Sequence, residues 1–209
     1  MQQDRRITFF HSPRSRSTST AILLQELHAD YRPRLLSIKQ GQTRQAEYLA
    51  INPMGKVPAI LHGNTLITEQ GAVFIYLSDL YPEAGLTPPL GDPQRGAWLR
   101  WLVFYGSSFE PAIADHAQQH VPTQSMSPYG DFDTMLGTLV QQLEQGPYLL
   151  GERLSSADIL WGTALKWTVG FGVVPELPVI QAYVERIAAR PSVAKVAELE
   201  AQWLEQLGD

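Results

Sequence analysis

The sequence predicts an α+β fold, with strands confined to the first part of the chain and helices alone in the rest. Three observations predict it: strand-forming runs alternating with helical apolar spacing up to residue 82, a Pro- and Gly-rich stretch over 83–93, and helical periodicity only from residue 94 onward. At 209 residues and 44% apolar content, the chain can bury a sizeable core as one large domain or two small ones. We divide it into an N-terminal αβ domain (1–82), a linker (83–93) and an all-helical C-terminal domain (94–209).

Ile7-Thr8-Phe9-Phe10 is a run of strand formers that ends in the turn-like His11-Ser12-Pro13-Arg14. Over 15–28, Ile22, Leu23, Leu24 and Leu27 recur at helical spacing, and Ser15 or Ser17 caps the first turn. Residues 34–38 read as a second strand and 43–50 as a short helix broken at Asn52-Pro53. Strands at 58–61 and 65–67 flank His62-Gly63-Asn64, a hairpin signature. A helix from Glu69 carries Val73, Ile75, Tyr76 and Leu80 and stops at Pro82, so the order is βαβαββα. Pro88, Pro89 and Pro93, with Gly85, Gly91 and Asp92, mark the linker. Beyond it, helices are predicted at about 94–118, 130–145, 156–170, 177–189 and 192–206. Within Leu154-Ser155-Ser156-Ala157-Asp158-Ile159, Ser155 and Asp158 form a capping box and Leu154 staples to Ile159, which gives Asp158 a structural role.

Composition excludes several functions. The net charge of −5, from 21 acidic against 16 basic residues, comes without any Lys/Arg block, so nucleic acid is not an expected partner. With no cysteine, the chain forms no disulfide, holds no metal through thiolate and has no thiol nucleophile of its own. His116 and His120 are four apart but lack a third ligand, so no metal is expected. No stretch approaches the roughly 18 apolar residues of a membrane span, and Ser12 and Pro13 interrupt the N-terminal region before a signal-peptide run develops, so a cytoplasmic protein is expected.

Two motifs carry the chemistry. In Asn52-Pro53-Met54-Gly55-Lys56-Val57-Pro58, a cis Val57-Pro58 bond would turn the N–H and C=O of Val57 outward to pair with an extended peptide. In Thr68-Glu69-Gln70-Gly71-Ala72, Glu69 and Gln70 at a helix N-terminus offer an acceptor for an ammonium group and free N–H donors for a carboxylate. A small peptide bearing both groups fits the pair.

These motifs, together with Ser12-Pro13-Arg14-Ser15-Arg16-Ser17, the Ser155–Asp158 cap, and Tyr183-Val184-Glu185-Arg186 leading to Arg190-Pro191, resemble the cytosolic glutathione S-transferase superfamily over nearly the whole chain. The resemblance implies a thioredoxin-like N-terminal domain, a helical C-terminal domain, a homodimer, and glutathione (γ-Glu-Cys-Gly) as cosubstrate without a metal. By it, Val57 pairs with the cysteinyl unit, Pro58 is the cis proline, Glu69 and Gln70 hold the γ-glutamyl end, and Lys56 and Gln42 lie toward the glycyl carboxylate. Serine is commoner at the position of Gln70.

Alignment with serine-type members puts the sulfur-facing hydroxyl at Ser15, with Ser17 and then Ser12 as alternatives. Tyrosine-using classes place that residue where this chain has Phe9 and Phe10, and Arg16 falls where some bacterial members carry cysteine. Tyr105, Phe109, Trp167 and Phe171 lie on helices that the family uses to line the second substrate's pocket. The implied function is a transferase that directs the glutathione thiolate at a hydrophobic electrophile. The alternatives are a cysteine-free glutathione-dependent peroxide or disulfide reductase, and a noncatalytic glutathione-binding carrier.

Overall fold

A computed structural model describes residues 5–209 and divides by packing into two units, one running to Ala84 and taking in Arg190–Asp209, the other Gly85–Ala189. The first unit opens with β1 (Ile7–His11), α1 (Ser17–Glu26), β2 (Tyr31–Leu35), the short α2 (Ala46–Leu49), β3 (Ala59–His62), β4 (Thr65–Ile67) and α3 (Gln70–Leu80). Its sheet has the order β2-β1-β3-β4, with β1 parallel to β2 and the other pairs antiparallel. The second strand begins at Tyr31 rather than at 34, with Pro33 inside it opposite Phe9. An edge strand tolerates proline, because the missing N–H faces no neighbour.

Side chains alternate along β1, so Ile7, Phe9 and His11 share one face of the sheet and Phe10 lies on the other. Phe10 packs with Tyr48 and Ala59, against Leu36, Ile51, Val57, Leu61 and Leu66. Both faces of β1 are therefore covered, and the loop after it starts from a fixed platform.

The second unit is helical: α4 (Arg95–Phe104), a wider-wound turn at Tyr105–Phe109, α5 (Glu110–Ala117), α6 (Phe132–Leu143), α7 (Ser156–Gly170) and α8 (Pro178–Ala188). The single helix expected at 94–118 is thus α4 and α5 joined through a π-type turn. Trp161 centres the core. Its ring lies 5.8 Å from Trp101, 5.5 Å from Tyr105 and 4.8 Å from Phe109, and its Nε1–H donates to the Trp101 carbonyl at 3.0 Å. Gly162 permits the close crossing of α7 and α8, since a Cβ there would meet Ile187 at 2.6 Å.

The capping box forms: Asp158 Oδ2 accepts from the Ser155 N–H and hydroxyl, each at 2.8 Å. Residues offered by the sequence as linker are tied into this unit, with Leu86 O accepting from Ser156 N at 2.9 Å and Arg153 donating to Asp92 at 2.8 Å.

The last helix, α9 (Pro191–Leu207), belongs to the first unit, whereas the sequence placed 190–209 with the helical domain. Helical periodicity identifies a buried face but not the surface it is buried against. The tie is a bidentate pair in which Arg190 Nε and Nη2 donate to the two Glu26 carboxylate oxygens of α1, each at 2.6 Å, and Ser192 adds its hydroxyl. Burial alone would raise the Glu26 pKa, but the hydrogen bonds from Arg190 and Ser192 and the Arg190 charge outweigh it and hold the carboxyl below its usual value.

Candidate active site

The turn between β1 and α1 gathers three serines. Ser15 Oγ donates to the Ser12 carbonyl at 2.7 Å, accepts the Ser17 N–H at 3.2 Å and lies 2.8 Å from Ser17 Oγ. Ser17 is fully buried, whereas Ser15 is partly exposed. Behind them, His11 at the end of β1 brings Nδ1 to 2.8 Å from Ser17 Oγ. Its ring is buried between Phe9 and Trp203, with centroids at 5.1 and 4.9 Å, and burial lowers its pKa to about 3. The imidazole is therefore neutral near pH 7. Read from sequence, His11 belongs only to a turn. Its place in the Ile7, Phe9, His11 alternation is the signal that would have put it inward.

The Val57–Pro58 bond is cis. Among the described residues, neither the N–H nor the C=O of Val57 takes a hydrogen bond, while the preceding Lys56 carbonyl is fixed by the Tyr48 hydroxyl at 2.6 Å and Asn52 Nδ2 at 2.9 Å. Gly55 makes this turn possible. Its φ is +60°, and a Cβ would meet the Thr43 carbonyl at 2.6 Å. The Lys56 side chain is exposed, and Gln42 uses its side-chain oxygen on the Ser37 N–H at 2.9 Å, leaving its amide NH2 3.5 Å from Gln40 Oε1.

Glu69 heads α3 in a left-handed conformation, φ +62°, with its carboxylate exposed. A non-glycine residue held there stores strain of the kind that clusters at ligand sites. Gln70 begins the helix, and its side-chain amide donates to the Arg16 carbonyl at 3.0 Å and to Ser19 Oγ. That amide therefore braces α3 against the serine turn. The backbone N–H groups of the first helical turn remain as the anion-facing donors.

The four aromatic residues expected at a substrate pocket separate. Tyr105 and Phe109 are core residues of the helical unit, 2% and 0% exposed, because the π-type turn rotates both toward Trp161. Trp167 is half-buried and Phe171 76% exposed at the end of α7, their rings 6.0 Å apart. His116 stacks on Phe132 at 3.9 Å, and no cluster of three His, Asp or Glu side chains among the described residues is arranged to hold a metal. No helix among them is long and apolar enough to cross a membrane.

Residues 6–79 match the family model of the glutathione S-transferase N-terminal domain, and 113–198 that of its C-terminal domain. The chain belongs to the glutathione S-transferase family, a family of enzymes, and the βαβαββα unit is its thioredoxin-like domain. It is 28% identical to glutathione S-transferase GstA of Escherichia coli O157:H7 over 201 residues, covering 91% of this chain and 97% of that protein. It is 29% identical to the disulfide-bond oxidoreductase YfcG of Escherichia coli K12, covering 97% of both. A solved glutathione transferase homolog from Sulfitobacter with bound glutathione is similar at a TM-score of 0.75 and 29% identity, covering 93% of this chain and 98% of that one.

Proposed function

We propose that this protein binds reduced glutathione, stabilises its thiolate at Ser15, and directs it at an electrophilic carbon of a hydrophobic compound, working as a homodimer. The observation that carries the reading is the hydroxyl pair at the start of α1, in which a partly exposed Ser15 is backed by a fully buried Ser17. A free thiol has a pKa near ~8.5, so lowering it by about two units requires roughly 2.7 kcal/mol. One hydrogen bond to a charged group supplies about 1.5–3 kcal/mol, and the helix N-terminus adds to it. A single well-placed hydroxyl therefore nearly suffices.

The unpaired backbone of Val57 suits the cysteinyl main chain, while Glu69 and the N–H groups of α3 suit the ammonium and carboxylate of the γ-glutamyl head. Lys56 supplies charge for the glycyl carboxylate, and the Gln42 side-chain NH2, held only by a long 3.5 Å bond to Gln40 Oε1, supplies a donor. Trp167 and Phe171, the pair left at the surface of α7, are the aromatic groups we assign to the second substrate.

The test is retention on immobilised glutathione followed by turnover of an aryl halide. Binding without turnover on any electrophile would instead indicate a carrier. Glu69→Ala is expected to weaken glutathione binding by about tenfold or more, since it removes the ammonium's charged partner. Unchanged affinity in calorimetry would remove Glu69 from the site.

A second reading, disulfide reduction, is favoured by the likeness to YfcG. With no cysteine in the chain, the bound glutathione thiolate would itself attack the disulfide, releasing one thiol and forming a mixed disulfide that a second glutathione resolves. Turnover of a small aliphatic disulfide that exceeds turnover of aryl halides would place the protein in that group.

A further inference from the structure

Resting on the assignment of Ser15 to the sulfur, we propose that His11 is a positioning residue: it carries its proton on Nδ1 and thereby aims a one-way chain of donors, His11 to Ser17 to Ser15, at the glutathione sulfur. A neutral imidazole has one N–H. His11 Nε2 is buried without a hydrogen-bond partner, and Glu200 Oε1 of α9 lies 3.5 Å away. That oxygen already accepts from the Arg14 N–H at 3.2 Å and from the Thr18 hydroxyl. A proton on Nε2 would have only this long, shared contact, which falls short of a hydrogen bond, and folded proteins rarely keep a buried donor so poorly met. A proton on Nδ1 has Ser17 Oγ at 2.8 Å.

The remaining assignments then follow in turn. Ser17 Oγ receives His11 Nδ1–H and, at 3.2 Å, the Ser12 N–H, which fills both lone pairs. Its own proton goes to Ser15 Oγ at 2.8 Å, the Ser12 carbonyl at 3.2 Å being the longer choice. Ser15 Oγ receives that proton and the Ser17 N–H, so it too is filled from behind. Its single hydroxyl proton must point away, toward the Ser12 carbonyl at 2.7 Å or, with glutathione bound, toward the sulfur. Donors aligned in one direction polarise one another and strengthen the last bond. The opposite tautomer reverses the chain. Ser17 would then give its proton to Nδ1, Ser15 would give its own to Ser17, and neither hydroxyl would be left to meet a thiolate.

Histidine-selective 15N NMR of the wild-type protein reads the tautomer directly and requires no variant. We expect the His11 signals to show a protonated Nδ1 and a bare Nε2, before and after glutathione is added. A protonated Nε2 would overturn the proposal. In parallel, the thiolate absorbance of bound glutathione is titrated in His11→Leu, which removes the donor, and in His11→Asn, whose amide restores one near the Nδ1 position. His11→Leu is expected to raise the bound thiol's pKa by about one unit and lower kcat by about tenfold, with glutathione affinity retained, and His11→Asn to recover most of both. Equal loss in both variants, each folded and binding glutathione, would also overturn it. Failure of the wild-type protein to bind glutathione removes the function reading and this role together, whereas binding with the wrong tautomer removes this inference alone.

Discussion

Asp158→Ala is expected to destabilise the protein by about 4 kcal/mol, a large part of the roughly 5–15 kcal/mol that holds a typical domain folded. Four buried donors converge on this carboxylate: the Ser155 N–H and hydroxyl and the Leu149 N–H, each at 2.8 Å, and the Tyr183 hydroxyl at 2.9 Å. Alanine leaves all four without an acceptor, at about 1–3 kcal/mol for each group that finds no other partner, and removes a helix cap whose own loss costs ~1 kcal/mol. Part of this is offset. Burial raises the carboxyl's pKa despite the hydrogen bonds from Leu149, Ser155 and Tyr183, which shows that holding the charge inside is itself costly. Asp158→Asn keeps one acceptor oxygen but presents an NH2 to the remaining donors, and is expected to lose about half as much. Urea unfolding followed by tryptophan fluorescence measures both, and an unfolding free energy for Asp158→Ala within about 1 kcal/mol of wild type would contradict the account.

Ser15→Ala is expected to lower kcat by about 10- to 100-fold while leaving glutathione affinity nearly unchanged, since a hydrogen bond to an anion is worth about 1.5–3 kcal/mol and this one is made to the ionised sulfur alone. Steady-state kinetics with an aryl halide, paired with calorimetry of glutathione binding, separates the two effects. Ser17→Ala removes an oxygen that is buried behind Ser15 and is expected to cost less. The reverse ranking would transfer the sulfur-facing role to Ser17. A fall in affinity equal to the fall in turnover would show that Ser15 recognises the tripeptide instead of activating it.

Much of the molecule was legible in the residues because local periodicity and turn chemistry agree with the packing. The hairpin around Gly63, the cap at Ser155 and the order of strands and helices through Leu80 each follow from a pattern shorter than twenty residues. The Gly55–Pro58 turn and the Glu69-Gln70 helix start were equally readable, since a backbone that must expose its own polar groups needs unusual residues. What escaped depends on contacts distant in sequence. The resemblance put Tyr105 and Phe109 on pocket-lining helices, whereas aromatic spacing alone favoured the core, where the π-type turn carries them, and that turn leaves no mark on apolar periodicity. The second strand was expected at 34–38, and its start at Tyr31, with Pro33 inside it, depends on its edge position beside β1. Gln70 was expected to hold the γ-glutamyl end by its backbone N–H, and the use of its side-chain amide in bracing α1 depends on where Arg16 and Ser19 lie, 54 and 51 residues earlier. His11 was the largest omission, for a lone histidine after a strand looks like solvent-facing punctuation until Trp203 is known to cover it.

The Glu26–Arg190 clasp also bears on the order of assembly. Domains generally fold as they leave the ribosome, the earlier one first. Here the earlier-made unit lacks its closing helix until residues 190–209 emerge, so the intervening helices can settle while the thioredoxin-like half still has a bare flank over His11. A chimera meant to transplant that half must therefore carry two separate stretches of gene, because a single cut after Ala84 leaves its last helix behind.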